Sequence, residues 1–195
     1  VLFRSVGRFN AYNLLAVLAT LLASDVSLAD AVKALSILKP VAGRMQQYGG
    51  GALPLVVIDY AHTPDALEQV LKSLRAQTKG QLVCVFGCGG DRDKGKRPLM
   101  AEIAEQEADH IILTNDNPRD EDPLQILQAI QKGFTGKKSV YREPDRQRAI
   151  AYALAAAQPS DVVLIAGKGH EAYQLIKGIK YPFDDAIEVQ RLLRT

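Results

Sequence analysis

The chain has 195 residues, 47% of them hydrophobic, which is enough for one good core and little more. Charged residues make up 24%, with 24 basic against 22 acidic. A net charge of +2 gives no reason to expect a nucleic-acid or membrane-surface partner, so any working electrostatics must be local. Apolar stretches fall short of the roughly 20 residues that a membrane helix needs, and no signal sequence is visible, so a cytoplasmic protein is expected. Cys84 and Cys88 have no histidine or further cysteine at zinc-ligand spacing. Cys84 sits in an apolar run and reads as a small buried residue. Val1 to Ser5, without an initiator methionine, read as the residue of a truncation and are set aside.

From Asn10 to Leu22, Leu14, Leu15, Val17, Leu18, Leu21 and Leu22 recur at helical spacing, and a second helix is predicted over Ser27 to Leu38. Pro40 and Gly49-Gly50-Gly51 then mark a change of character, which places a domain boundary near Pro40. Leu55 to Asp59 is a β-branched run. Thr63-Pro64-Asp65 opens a helix through Arg75, with threonine as N-cap and proline in first position. Gln81 to Phe86 is the next strand, followed by the glycine-rich loop Gly87 to Gly95 and a helix that starts at Pro98. His110 to Thr114 is strand, Pro123 to Phe134 helix, Ser139 to Arg142 strand and Asp145 to Ala157 helix. Val162 to Ala166 is almost purely apolar, as befits a strand covered on both faces. Tyr173 to Ile176 and Lys180 to Phe183 suggest a terminal hairpin, and Asp184 to Leu193 a closing helix. Strands separated by single helices imply right-handed crossovers. The fold class is therefore α/β: a doubly wound, mostly parallel, Rossmann-like sheet with a terminal hairpin.

In such sheets ligands bind outside the carboxyl ends of the strands. Those ends are polar: Asp59-Tyr60-Ala61-His62, Gly89-Gly90-Asp91-Arg92-Asp93, Asn115-Asp116-Asn117-Pro118-Arg119, Glu143-Pro144-Asp145-Arg146 and Gly167-Lys168-Gly169-His170-Glu171. The loop Gly87 to Arg97 fits neither G-x-G-x-x-G nor G-x-x-x-x-G-K-S/T. It reads either as an anion site built on backbone amides or as a tight turn with a solvated basic face. Arg92, beside glycines, is suited to grip a carboxylate or phosphate with two bonds. In Asp116-Asn117-Pro118-Arg119 the polar groups either point together into the crevice or cap a helix-entry turn. Glu171 reads as a partner for a ligand ammonium or as a solvated carboxylate. His62 and His170 lack an accompanying nucleophile, which favours substrate contact or structural bonding over nucleophilic catalysis. His110 heads a strand and reads as structural.

Gly43-Arg44-Met45, the run Asp59 to Leu67, the loop Gly87 to Pro98, Asp116 to Arg119 and Gly167 to Glu171, in this order and spacing, resemble the Mur ligase family. Within it, the likeness is to members that add meso-2,6-diaminopimelate to UDP-MurNAc-L-Ala-D-Glu in peptidoglycan synthesis. It spans residues 7 to 195. The resemblance implies that Arg92, Asp116, Asn117, Pro118, Arg119, Gly167 and Glu171 form the diaminopimelate pocket. An arginine pair and a carboxylate would clamp the carboxylate and ammonium at the far end of that substrate. Lysine lacks the second carboxylate, and lysine-adding members are expected to lack the arginine at position 119. The resemblance also implies that Arg44 approaches the ATP phosphates and Asp59 the ribose, that Asn10 and Asn13 near the first helix lie by the adenine, and that His62 belongs to the ATP site.

By the same resemblance, residues 1–39 are the helical tail of a central ATP-binding domain and residues 40–195 the C-terminal ligase domain. The phosphate loop, the Mg2+ ligands and a carbamylated lysine would lie in that central domain. No catalytic or metal-ligating residue is therefore assigned in this chain, which is expected to be inactive alone. ATP is the co-substrate, Mg2+ the cofactor, and the whole enzyme is expected to be a monomer. The alternatives left open are a ligase for lysine or another amino acid, and a non-catalytic anion- or nucleotide-binding module.

Overall fold

A computed structural model of the chain describes residues 8–38 and 41–194. They fall into two compact units, within 1–41 and 42–195. Pro40, where the sequence marks a boundary, lies outside the described residues, as do Val1 to Ser5.

In the first unit, helix α1 (Arg8–Ala23) packs against α2 (Leu28–Ser36). Ser27 caps α2: its Oγ accepts the Asp30 amide at 3.2 Å and donates to Asp30 Oδ2 at 2.7 Å. Ala31 and Leu35 are buried, whereas Tyr12, Leu15, Val17 and Leu22 are exposed.

The second unit is built on a six-stranded sheet in the order β1-β2-β6-β3-β4-β5. Its strands are β1 (Gln46–Gly49), β2 (Leu55–Asp59), β3 (Leu82–Phe86), β4 (His110–Leu113), β5 (Val140–Arg142) and β6 (Val162–Ala166). All pairs are parallel except β1 with β2. β6, the most apolar run, is fully buried between β2 and β3. Alternation along the strands gives two apolar faces. Val56, Ile58, Val83, Val85, Ile112, Val163 and Ile165 pack on Ala149, Ile150 and Ala153 of α6 (Arg146–Ala156) and Val189 of α7 (Asp185–Leu192). Helices α3 (Pro64–Arg75), α4 (Lys96–Glu107) and α5 (Pro123–Gln131) pack in sequence with one another, and α3 also lies against β6. Strands β7 (Tyr173–Ile176) and β8 (Ile179–Pro182) form a separate hairpin.

The α/β class, the parallel sheet and the terminal hairpin agree with the sequence reading. Two details differ. Strand β1 was not foreseen, because Gln46-Gln47-Tyr48-Gly49 is polar; it survives as an antiparallel edge that needs only one apolar face. Helix α4 begins at Lys96 rather than Pro98, since a proline within the first turn gives up only an amide that has no helical partner anyway.

Candidate functional site

The parallel strands β2, β6, β3, β4 and β5 all deliver their carboxyl ends to one edge, so the five polar strand ends become neighbours. Two clusters result.

The first lies beyond β3, β4 and β6. Asp116, Asn117 and Pro118 are buried, and Asn117 is the hub: its Nδ2 donates to Glu171 Oε2 at 2.7 Å. Asn117 Oδ1 accepts from the Leu175 amide at 2.9 Å and from Lys168 Nζ at 3.2 Å. Lys168 also donates to Glu171 Oε2 at 3.3 Å and to the Tyr173 carbonyl. Gly167 sits so close to Asp116 that a β-carbon there would stand 2.6 Å from Asp116 Oδ2, and its φ of +113° favours glycine. Burial raises the Asp116 carboxyl above its ordinary range, against the lowering effect of Arg146 and Lys168.

Arg119 forms the facing wall. Its backbone is left-handed, φ 54°, and is held there by β7 and the turn that follows it: the Arg119 amide donates to Leu175 O at 2.9 Å and its carbonyl accepts from Lys177 N at 2.8 Å. The guanidinium donates through Nη1 to Gly90 O at 2.8 Å. Gly89 separates the two arginines. A β-carbon on it would stand 2.7 Å from Arg119 Nη1 and 3.7 Å from Arg92 Cγ. Arg92 is exposed at the mouth.

The glycine loop is tied to the Asp116–Arg119 segment by a clasp. Glu121 accepts from Arg97 Nη2 at 2.8 Å and Nη1 at 3.1 Å and from the Asp91 amide at 2.6 Å, with Lys94 Nζ 3.4 Å away. Gly90 N donates to Asn117 O at 2.9 Å, and Asp120 N to Asp91 Oδ2 at 3.0 Å. The Arg97 hydrogen bonds pull the Glu121 carboxyl down to about 2. Cys88, in the same loop, is buried against Met100, and burial pushes its thiol up to about 12, so it is inert.

The second cluster surrounds Tyr60. The Arg44 guanidinium lies 4.9 Å from its ring centroid, and the His62 and His170 rings lie at 4.6 and 5.7 Å. His62 Nδ1 is 2.8 Å from Tyr60 O, and Lys96 Nζ donates to the His62 carbonyl at 2.7 Å. Asp59 is buried, and its two oxygens accept the Met45 and Ala61 amides, both at 2.8 Å. It thereby anchors the turn that carries Arg44. Burial raises its carboxyl, with the two amides and Arg44 acting the other way. A β-carbon on Gly43 would meet the backbone of Gly169 at 2.1 Å, so these two turns interlock only as glycines.

The seven residues assigned to the amino-acid pocket are thus gathered at β3, β4 and β6, while Arg44, Asp59 and His62 share the neighbouring β2 corner. Asn10 and Asn13 belong to α1 in the other unit; Asn13 is exposed, and the Asn10 side chain lies outside the described residues. Arg146, read as part of the charged edge, instead turns inward and is 1% exposed, because Asp185 meets it in the interior. Lys168 and the Arg97–Glu121 clasp were not singled out from the sequence. Among the described residues, no three His, Cys, Asp or Glu side chains gather as metal ligands, and no helix is long and apolar enough to cross a membrane. A cavity of about 320 Å3 lined by Val83, His110, Tyr141 and Tyr152 opens elsewhere, at the amino ends of the strands, away from these clusters.

Known proteins bear on this arrangement. The chain is similar to the UDP-N-acetylmuramoyl-L-alanyl-D-glutamate–2,6-diaminopimelate ligase of Ectopseudomonas mendocina, 54% identical over 188 residues, covering 96% of this chain and 39% of the relative. It is 56% identical over 182 residues to the protein of the same name from Chromobacterium violaceum, covering 92% of this chain and 37% of the relative. A solved structure of a ligase of that name aligns over all of this chain and 40% of its own, at 45% identity and a TM-score of 0.78. The chain therefore spans about two fifths of the length of these relatives. The family pattern described as "Mur ligase, glutamate ligase domain" matches residues 43–169, from the Gly43 turn to the loop that interlocks with it, and the chain accordingly belongs to the Mur ligase family.

Proposed function

We propose that this chain supplies the amino-acid pocket and part of the ATP site of a cytoplasmic ligase that joins meso-2,6-diaminopimelate to UDP-MurNAc-L-Ala-D-Glu. The observation that carries the reading is the opposition of charges across Gly89 and Asn117. Arg92 and Arg119 flank Gly89, and the Glu171 carboxylate is anchored on Asn117. A substrate end bearing one carboxylate and one ammonium matches that pattern, whereas lysine offers no carboxylate to the arginines. In the reaction, ATP phosphorylates the D-glutamate γ-carboxylate to an acyl phosphate and releases ADP. The substrate amine attacks the acyl carbon, and the tetrahedral intermediate expels phosphate to leave the amide. This chain contributes orientation of the amine, held by its far end, and a cation at the phosphates through Arg44. Asp59, with both oxygens committed to backbone amides, acts on ATP chiefly through the Arg44 turn. Mg2+ would accompany ATP and neutralise its phosphates. We further place the enzyme as a monomer without nucleic-acid or membrane partners.

The test is ATP- and UDP-MurNAc-L-Ala-D-Glu-dependent ligation by the gene product that carries this chain, with meso-diaminopimelate or L-lysine. Diaminopimelate is expected to be preferred by about 100-fold or more in kcat/KM, and Arg119→Ala to abolish most of that preference. Equal use of lysine overturns the assignment of the arginine pair. No ligation with any amino acid favours a binding module.

A further inference from the structure

Arg146 opens α6 and Asp185 opens α7, and both side chains are 0% exposed. They meet as a bidentate pair, Nε to Oδ1 at 2.8 Å and Nη2 to Oδ2 at 2.8 Å. Such a pair is a weak source of stability, because desolvating two charges offsets most of their attraction and an apolar pair of similar volume often does as well. Its other bonds point to a different role. Arg146 Nη1 donates to Asn115 O at 3.3 Å and Nη2 to Ala166 O at 3.1 Å. Asn115 directly precedes Asp116, and Ala166 directly precedes Gly167. These residues leave β4 and β6, which are not neighbours in the sheet, since β3 runs between them. One guanidinium therefore ties two strand exits that no ladder bond connects, at the level where a β-carbon on Gly167 would stand 2.6 Å from Asp116 Oδ2.

We infer that the Arg146–Asp185 pair is a positioning device for the amino-acid pocket, setting the separation of the Asp116–Arg119 and Gly167–Glu171 loops without touching the substrate. This rests on the reading of those loops as the amino-acid pocket. Asp185 fixes the guanidinium plane through two bonds, and the remaining N–H groups then reach two carbonyls in fixed directions. Lysine keeps the charge but has no rigid fork with which to hold both.

Two variants test the inference, Arg146→Lys and the double variant Arg146→Met/Asp185→Leu, which keeps the interior apolar and free of unpaired charge. Steady-state kinetics of the full gene product are expected to show a rise of about tenfold in KM for the diamino acid, with KM for ATP changed less than about twofold. Amide hydrogen exchange on the chain itself gives a ligand-free readout. The Gly167 amide, bonded to Asp59 O at 3.1 Å, should exchange about tenfold faster in Arg146→Lys, with the Val85 amide of β3 unchanged. Unchanged Gly167 exchange, or parallel rises in both KM values, overturns the inference. If the double variant fails to fold, Arg146→Lys decides by the same criteria. Failure of the wild-type enzyme to use diaminopimelate would strike the substrate assignment, while the exchange experiment still decides whether the pair sets the loops.

Discussion

Replacing Glu121 with glutamine cuts the clasp that joins the glycine loop to the Asp116–Arg119 segment. The wild-type carboxylate accepts two bonds from Arg97 and one from the Asp91 amide, and its carboxyl falls from an ordinary value near 4.5 to about 2. At about 1.4 kcal/mol per pH unit that difference corresponds to roughly 3 kcal/mol, and partial hydration of a side chain 15% exposed reduces it to about 2. Arg97 adds to the loss, because the residue is 2% exposed and its Nε has no hydrogen-bond partner among the described residues. Glu121→Gln is therefore expected to destabilise the protein by about 2–3 kcal/mol at pH 7, lowering Tm by roughly 5–10 °C. A carboxyl held below its unfolded value stabilises the fold above about pH 4.5 and loses that contribution as the pH falls towards 2. Less than half of the difference between wild type and variant should survive at pH 3. Urea unfolding at pH 7 and pH 3 measures both quantities. A difference below about 0.5 kcal/mol at pH 7, or one unchanged at pH 3, refutes the reasoning.

Gly167→Ala places a β-carbon 2.6 Å from Asp116 Oδ2 at a φ of +113°, and should cost about 1–3 kcal/mol together with most of the affinity for the diamino acid. Thermal unfolding and calorimetric titration report the two effects, and an unchanged Tm would mean the strain is absent. Tyr60→Leu removes the ring beneath Arg44 and should raise KM for ATP about two- to fivefold, while Tyr60→Phe keeps it near wild type. Equal effects of leucine and phenylalanine would assign the role to the hydroxyl instead.

What could be read beforehand was whatever is encoded locally. Val162 to Ala166 announces a strand covered on both faces, and Thr63-Pro64 announces the start of α3; both are found where the pattern places them. The strand ends followed from topology, since parallel strands must send their carboxyl ends to one edge. The residues that stayed hidden owe their roles to partners far along the chain. Arg97, in a run of basic residues, looks like a solvated surface until Glu121 arrives 24 positions later. Arg146 looks like one more charge at the crevice, yet Asp185, 39 positions on, draws it inside. Lys168 sits between two glycines in a loop and becomes buried only when β7 folds over it and offers the Tyr173 carbonyl.

These hidden partners share one arrangement. Arg97, Arg146, Lys168 and the β7 backbone each hold the main chain or side chains of the loops proposed to form the amino-acid pocket, while Arg92 and Arg119 are the guanidinium groups proposed to face the ligand. A site that must tell a second carboxylate from its absence needs charges whose positions do not relax towards the wrong substrate. Loops on strand ends supply the charges, but only non-local bonds hold them still. The residues proposed to touch the substrate are readable from short motifs for the same reason that their supports are not. The proposed contact residues lie in contiguous runs at strand ends, and each support is a pair assembled across the fold.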